Sequence, residues 1–289
     1  MPAVPPPAKV LVTGASGFLA AHVVKALLAR GYTVRGTVRS HAKGEYLAKL
    51  FEKDYPGAFE FVIVRDIAQP GAFDEAVIGV DAVAHTASPV EWASPEDPPE
   101  KLIKPAVEGT LFALRSAATR GTNVKRVVVT ASYASILEPH DGPYEYSEED
   151  WNDFSVKEAE TRGKATTAVH KYRASKTLAE RAVWNFLTTD KPAFDAVTIN
   201  PPFIYGPIIH DIGSIEQLNL STMQLWQQFV RTDLTPEVTS TYLGNHIDVR
   251  DVAEAHVDAI AREDLAGRRL VIGCGPIAPQ DICEFSPSR

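Results

Sequence analysis

Short apolar runs alternate with segments of helical period over the first two hundred residues of the chain. The predicted strands are 9–13, 32–38, 59–64, 81–87, 125–131 and 194–200, and the predicted helices are 17–30, 43–53, 71–78, 100–120 and 169–188. This alternation is typical of βαβ units, because parallel strands need a crossover connection that is usually a helix. The sequence therefore predicts an α/β protein with a Rossmann-type, doubly wound parallel sheet and a small C-terminal substrate lobe.

Size and charge limit the class of protein further. The chain has 289 residues, of which 45% are hydrophobic, and this is enough for one large α/β unit with a small lobe. A formal net charge of -8 argues against a nucleic-acid partner. Cys274 and Cys283 form no CxxC motif, so neither a structural zinc site nor a disulfide framework is expected. The chain has no secretory h-region and no membrane-spanning run, so we expect a cytoplasmic protein. The expected oligomeric state is a monomer or a homodimer.

The alternation of predicted strands and helices ends after Asn200, where the proline-rich run PPFIYGP leads into an irregular stretch. A helix near 218–231 and a short strand at 268–273 follow. The expected division is a flexible leader at 1–8, a nucleotide-binding domain at 9–200 joined by the helical region 246–262, and a small lobe made of 201–245 and 263–289. Residues 138–164 are acidic and turn-rich, and they form either a solvent-exposed surface loop or a functional insertion.

A glycine-rich turn stands directly between the first predicted strand and the first predicted helix. Gly14, Gly17 and Ala20 give the pattern GxxGxxA. This spacing permits a tight turn, a close backbone approach to a pyrophosphate and a helix N-terminus that faces the anion, and Ala20 is small enough for helix–strand packing. The pattern predicts a dinucleotide site that is contacted by Gly14, Ala15, Ser16, Gly17, Phe18 and Leu19.

The end of the second predicted strand indicates which dinucleotide binds. NAD sites usually place an acidic residue there, but the run RGTVRS at 35–40 has none. Arg39, with Lys43 one helical turn later, could clamp a 2′-phosphate, and a charge-assisted hydrogen bond of about 1.5–3 kcal/mol would favour NADPH by roughly ten-fold or more. The alternative is that both are ordinary surface cations. Asp66 and Ile67, past the third strand, are expected to flank the adenine.

Tyr172 and Lys176 are four residues apart in the helical stretch HKYRASKTLAERAVW, so they share one face of the helix. A nearby cation lowers the pKa of a tyrosine from about 10 toward the working pH, although a surface tyrosine beside a solvated lysine would look the same. Ser132 follows the strand 125–131, where its hydroxyl could hold a substrate carbonyl near Tyr172. Ser135 is a rival candidate for this role.

The motifs together carry a family resemblance. TGASGFLA, Asp66-Ile67, AHTASP, VVVTAS, YxxxK and NPPFIYGP occur in the order found in extended short-chain dehydrogenases/reductases. Within these, the chain resembles the dihydroflavonol-reductase group, and it is most similar to fungal NADPH-dependent aldehyde and ketone reductases, including methylglyoxal reductase. The resemblance covers nearly the whole chain, from Lys9 to Cys283.

This resemblance implies an NADPH-dependent reductase that converts aldehydes or ketones, including diketones and ketoesters, to alcohols. Tyr172 would donate the proton, Ser132 would orient the carbonyl oxygen, and Lys176 would bind the nicotinamide ribose and lower the pKa of the tyrosine. Pro202 and Ser221 would lie near the nicotinamide half of the cofactor.

Two other functions use the same fold. A sugar-nucleotide epimerase or 3β-hydroxysteroid dehydrogenase would have the same catalytic group but commonly uses NAD. A non-catalytic NADP-binding sensor would typically lack the tyrosine–lysine pair.

The remaining candidate residues are expected to have no catalytic role. His85 and His170 are interpreted as strand-end and helix-surface residues. Glu108 stands where many relatives have asparagine, which puts a proton relay through that position in doubt. Family members usually continue for several tens of residues beyond Arg289, so a shortened substrate lobe is expected.

Overall fold

The computed structural model describes residues 3–88, 96–230 and 244–285. Within them, seven strands form one parallel sheet in the order β3-β2-β1-β4-β5-β6-β9, and β7 pairs with β8 in a separate two-stranded sheet. The strands are β1 (Lys9–Thr13), β2 (Thr33–Val38), β3 (Phe59–Ile63), β4 (Ala82–His85), β5 (Arg126–Thr130), β6 (Asp195–Asn200), β7 (Phe203–Tyr205), β8 (His246–Asp248) and β9 (Arg269–Val271). The strand order reverses between β1 and β4, and open α/β sheets bind ligands at such a switch point.

Helices cover both faces of the main sheet. They are α1 (Phe18–Ala29), α2 (His41–Glu52), α3 (Glu100–Thr119), α4 (Asp153–Arg162), α5 (Ala168–Thr189), α6 (Leu220–Val230), α7 (Val249–Ala261) and α8 (Pro279–Phe285). Successive strand residues point to opposite faces. Val12 therefore packs in one core with Val24 of α1 and Val257 of α7, while Leu11 packs in the other with Leu114 of α3. The predicted doubly wound fold is confirmed.

Two local predictions differ from the structure. The helix expected at 71–78 is a series of turns, which Gly71 and Gly79 bracket with positive φ angles of 76° and 73°. Phe73 and Val77 are nevertheless buried, so the apolar spacing that suggested a helix reflects packing of this turn against the sheet. The leader expected to be flexible is anchored, because the Val4 N–H donates to the Ile260 carbonyl at 3.1 Å.

The small lobe remains a proposed division of the chain. Strand β9 lies beside β6 in the main sheet, although the division assigned this segment to the lobe, because Thr198, Ile199 and Asn200 pair with it in parallel register. Helix α6 falls in the segment that the prediction assigned to the lobe. Residues 231–243 and 286–289, also assigned to the lobe, lie outside the described residues. In the part of the chain that the structure describes, no helix combines the length and apolar character needed to cross a membrane.

Candidate active site

The glycine-rich turn fits tightly between the ends of β2 and β4. Gly14 has a φ of +67°, and a Cβ added to it would lie 3.1 Å from the Cβ of Ala87. The Gly14 N–H donates to Thr37 Oγ1 at 2.9 Å, and the Ala15 N–H donates to the Thr37 carbonyl at 2.8 Å. Glycine is needed here because it adopts a positive φ easily and leaves room for the neighbouring backbone.

Helix α1 begins directly after this turn with its N-terminal N–H groups free of a side-chain cap. Gly17 occupies the capping position, and the first helical turn contains no acidic residue. The partial positive charge of a helix N-terminus attracts phosphate. Of the six predicted contact residues, Ala15 and Phe18 are buried, Gly14, Ser16 and Leu19 are half-buried and Gly17 is exposed. The local geometry fits a pyrophosphate group.

The two cations proposed to bind a 2′-phosphate differ in their surroundings. Lys43 Nζ donates to Asp211 Oδ2 at 2.9 Å and to the Asp211 carbonyl at 2.8 Å. Arg39 is exposed just beyond β2. The pKa of Asp66 is lowered mainly by hydrogen bonds from Gln69 and the Ala68 N–H, and to a smaller extent by the charge of Arg39. Arg39 is thus the better placed candidate for the phosphate, because Lys43 already has an anionic partner.

Three other predicted contacts lie on separate elements. Ile67 packs over α3, where a Cβ on Gly109 would lie 3.1 Å from its Cδ1. Pro202 lies beside Gly273, 3.4 Å from the position that a Cβ there would occupy. The Ser221 hydroxyl donates to the Ile204 carbonyl, which ties the start of α6 to β7. These contacts give the local packing of the three residues, and their roles toward a cofactor stay predictions.

The three predicted catalytic side chains meet at the carboxyl end of β5. Tyr172 and Lys176 lie on α5, with Lys176 Nζ 5.8 Å from the centre of the tyrosine ring. The Ser132 side chain hydrogen-bonds Tyr172. Ser132 Oγ also accepts from the Ala134 N–H at 3.1 Å, which fixes it at the start of a short 3₁₀ turn.

Burial determines the charge states of this group. It raises the pKa of Tyr172, against the opposing effect of the Ser132 hydrogen bond, and it lowers the pKa of Lys176 to about 8. Burial is the largest influence on the pKa of Tyr172, and the hydrogen bond from Ser132 is the contribution that lowers it. The lowering expected from Lys176 stays a prediction. At neutral pH Tyr172 keeps its proton and Lys176 is mostly charged.

A buried polar network holds the backbone of Ser132. Its carbonyl accepts from Ser135 Oγ at 2.6 Å and from Asn200 Nδ2 at 3.2 Å. Asn200 Nδ2 also donates to Glu180 Oε2 at 2.8 Å, and Arg269 Nε donates to Glu180 Oε1 at 2.7 Å. Ser135, the rival to Ser132, is completely buried and belongs to this support.

Sequence reasoning missed Glu180, Asn200 and Arg269 as parts of the site. Two signals could have found them. Glu180 lies one turn beyond Lys176 on the same face of α5, where a charged residue faces the core, and Asn200 is a polar residue at the carboxyl end of a predicted strand. Arg269 carried no such signal, because its role follows from the pairing of β9 with β6.

The remaining candidates lie outside the catalytic group. His85 ends β4 and is buried, while His170 lies in the first turn of α5 with Nδ1 2.9 Å from Ser155 Oγ. Glu108 is partly exposed on α3, 3.9 Å from Lys104, so its carboxylate is directed along the helix surface. Among the described residues, no cluster of His, Cys, Asp or Glu could hold a metal ion.

A protein with this fold and this group of side chains is an oxidoreductase that binds a dinucleotide. The family model described as the NAD dependent epimerase/dehydratase family matches residues 10–273. The chain belongs to this family, and the predicted family resemblance is confirmed.

Reductases are among the similar proteins. Ketoreductase azaE of Aspergillus niger is 37% identical, and the match covers 96% of this chain and 80% of the relative. A putative NADPH-dependent methylglyoxal reductase of Candida albicans is 38% identical, and the match covers 96% of this chain and 81% of the relative. The crystal structure of Gre2 from Candida albicans in complex with NADPH has a TM-score of 0.83 and 35% identity, over 96% of this chain and 81% of that chain.

Proposed function

We propose that the protein is an NADPH-dependent reductase that converts aldehydes or ketones, including diketones and ketoesters, to alcohols. The observation that carries the proposal is the meeting of Ser132, Tyr172 and Lys176 beside the nucleotide turn. Lys176 Nζ donates to Ser88 Oγ at 2.9 Å, and the adjacent Ala87 lies against Gly14. The catalytic group and the pyrophosphate turn are therefore neighbours at the carboxyl edge of the sheet.

The cofactor is NADPH, in agreement with the relatives named for NADPH dependence and with the NADPH complex of the similar structure. The uncapped N-terminus of α1 fits the pyrophosphate, and the exposed guanidinium of Arg39 would hold the 2′-phosphate. When bound, NADPH supplies the hydride that is transferred to the carbonyl carbon. The chain's own side chains bind and orient the substrate and supply the proton.

Tyr172 is the proposed proton donor. Its raised pKa keeps the phenol protonated at neutral pH, as a donor must be. A carbonyl oxygen placed next to the Ser132 and Tyr172 hydroxyls would accept a hydrogen bond from each, and the two bonds would strengthen as negative charge develops on that oxygen. The nearby Lys176 ammonium would then stabilise the phenolate that remains after proton transfer.

Replacement of the proposed donor tests this function. The purified protein should oxidise NADPH in the presence of a panel of aldehydes, diketones and ketoesters, with the alcohol identified as product. Tyr172→Phe should lower kcat by about 10²–10⁴-fold, the usual contribution of a positioned acid, while NADPH still binds. Tyr46→Phe is a matched control, because the exposed Tyr46 hydroxyl donates to the Ile209 carbonyl outside the site.

Two outcomes would contradict the proposal. If Tyr172→Phe kept most of the turnover, the assignment of the proton donor would be wrong. If the protein bound NADPH but reduced no member of the panel, the sensor alternative would be favoured over the reductase.

A further inference from the structure

A small cavity lies beside Lys176, between the main sheet and helices α3 and α5. Its volume is about 20 Å³, and its walls include His85 of β4, Thr110 of α3, Ser88 and Lys176. A space of this size holds one water molecule when polar groups are present to bind it. The residues that line the cavity bring together hydrogen-bond donors and acceptors that the fold does not fully use.

The hydrogen bonds of Thr13 determine which nitrogen of His85 carries a proton. Thr13 Oγ1 accepts from the Thr86 N–H at 3.1 Å and from the Ala87 N–H at 3.0 Å. With both lone pairs occupied, its own proton must go to His85 Nδ1, which lies 3.0 Å away. Because burial and the charge of Lys176 lower the pKa of His85 to about 4, the ring is neutral. Nε2 therefore carries the proton and is a donor.

This Nε2–H group has no hydrogen-bond partner among the described residues, although the side chain is only 3% exposed. Buried donors in folded proteins are normally paired, with protein or with ordered water. Thr110 supplies a matching acceptor, because its hydroxyl proton is committed to the Ala106 carbonyl at 2.9 Å and its oxygen can only accept from the cavity side. Lys176 has three N–H bonds, one of which goes to Ser88.

We infer that one water molecule is bound in this cavity, where it accepts hydrogen bonds from His85 Nε2–H and Lys176 Nζ and donates to Thr110 Oγ1. Three partners are typical of a buried water. His85 thereby acts as a positioning residue for Lys176, through the water and without touching substrate or cofactor. This role in catalysis rests on the proposed function, whereas the water site itself does not.

The water and Ser88 together would fix two of the three N–H directions of Lys176, and the tetrahedral ammonium then fixes the third as well. The charged and titratable groups around Lys176 are Tyr172 and Glu180 on α5 and the neutral His85 on β4, while α3 presents the uncharged Thr110. Glu180 is already paired with Arg269. The water oxygen would favour the ammonium form of Lys176, and its loss would favour the neutral amine.

A crystal structure of the wild-type protein at high resolution tests the site directly. It should show one ordered water within hydrogen-bond distance of His85 Nε2, Lys176 Nζ and Thr110 Oγ1. An empty cavity would overturn the inference, whether or not the enzyme reduces carbonyl compounds. The failure of the water site can therefore be distinguished from the failure of the proposed function.

Kinetic measurements on three variants test the positioning role. His85→Met, which removes the donor at similar volume, should lower kcat roughly ten-fold with little change in KM, as expected when a reacting group is misplaced. The basic limb of its kcat–pH profile should move to lower pH. His85→Gln, whose amide can restore a donor near Nε2, should regain most of the lost rate, and Thr110→Val should behave like His85→Met. Unchanged pH profiles in both His85→Met and Thr110→Val would overturn the positioning role.

Discussion

Glu180 is fully buried and accepts hydrogen bonds from three side chains, Thr198, Asn200 and Arg269, while the Ser135 hydroxyl lies between Glu180 and the Ser132 carbonyl. Removal of one partner of a buried ion pair leaves the other charge uncompensated, whereas an exposed pair contributes little. At the scale of single residues, the stability of this protein therefore depends on a few buried polar contacts more than on its surface ion pairs. The same contacts hold the backbone of Ser132.

We predict that Glu180→Ala lowers the free energy of unfolding by about 3–5 kcal/mol, because it leaves the Arg269 guanidinium, itself mostly buried, without a counter-charge. Urea denaturation measures this change. Asp264→Ala is the control, since Asp264 pairs with Arg262 on the surface and its loss should have no measurable effect. Equal effects of the two substitutions would show that the network contributes no special stability.

Arg39 is the second residue whose role can be measured. We predict that Arg39→Ala lowers the preference for NADPH over NADH by roughly ten-fold or more, because it removes a charge-assisted hydrogen bond to the 2′-phosphate. Lys43→Ala should have a smaller effect, since Lys43 is paired with Asp211. The ratio of kcat/KM for the two cofactors gives the preference, and Arg120→Ala, an exposed arginine at the end of α3, is the control. An unchanged ratio in Arg39→Ala would refute the phosphate clamp.

At the scale of elements, the glycine-rich turn between β1 and α1 positions the nucleotide site. Gly14 has a positive φ and packs closely against the end of β4. A larger residue would be strained at this φ and would not fit in the space. The turn is thus held from two sides, by the hydrogen bonds to Thr37 and by contact with Ala87.

We predict that Gly14→Ala weakens NADPH binding at least ten-fold, because the added Cβ meets Ala87 and displaces the turn from the pyrophosphate. Gly57→Ala is a matched control, since Gly57 has a similar φ of +69° but nothing within 4 Å of an added Cβ. Both variants should lose about 1 kcal/mol of stability from the positive φ. Titration calorimetry with NADPH separates the two, and equal affinities would contradict the proposed role of the turn.

At the scale of the whole molecule, stability should depend on acid titration of buried histidines. Burial lowers the pKa of both His85 and His256 to about 4, while an unfolded histidine titrates near pH ~6.5. Below pH ~6.5 the unfolded chain binds more protons than the folded one. Stability contributed by the neutral rings is therefore complete above pH ~6.5 and is lost as the pH falls toward 4.

We predict that the free energy of unfolding falls by about 1.4 kcal/mol per pH unit for each of these histidines between pH ~6.5 and ~4. Urea denaturation at a series of pH values measures the slope. His256→Gln should reduce the slope by up to one proton. An identical slope in His256→Gln and the wild type would show that His256 is already charged in the folded protein.

Several parts of the site could be predicted from local sequence. The turn at Gly14 and the pair Tyr172–Lys176 are each contained in one strand–helix unit or one helix, so spacing alone relates their atoms. Ser132 was recognised because it follows a strand whose carboxyl end faces the ligand edge. Sequence pattern failed at 71–78, where buried Phe73 and Val77 have helical spacing within a series of turns.

The amino-acid sequence by itself determined the doubly wound fold, the family and the location of the nucleotide turn, because these depend on periodicity and on residues close together in the chain. The tertiary structure alone decided the partner of Lys43, the network around Glu180, the burial of Tyr172 and the contact of His85 with Thr13. These properties depend on burial and on contacts between residues far apart in sequence, such as Thr13 with His85 and Glu180 with Arg269. Desolvation and long-range hydrogen bonding exist only once the sheet and its helices have packed together.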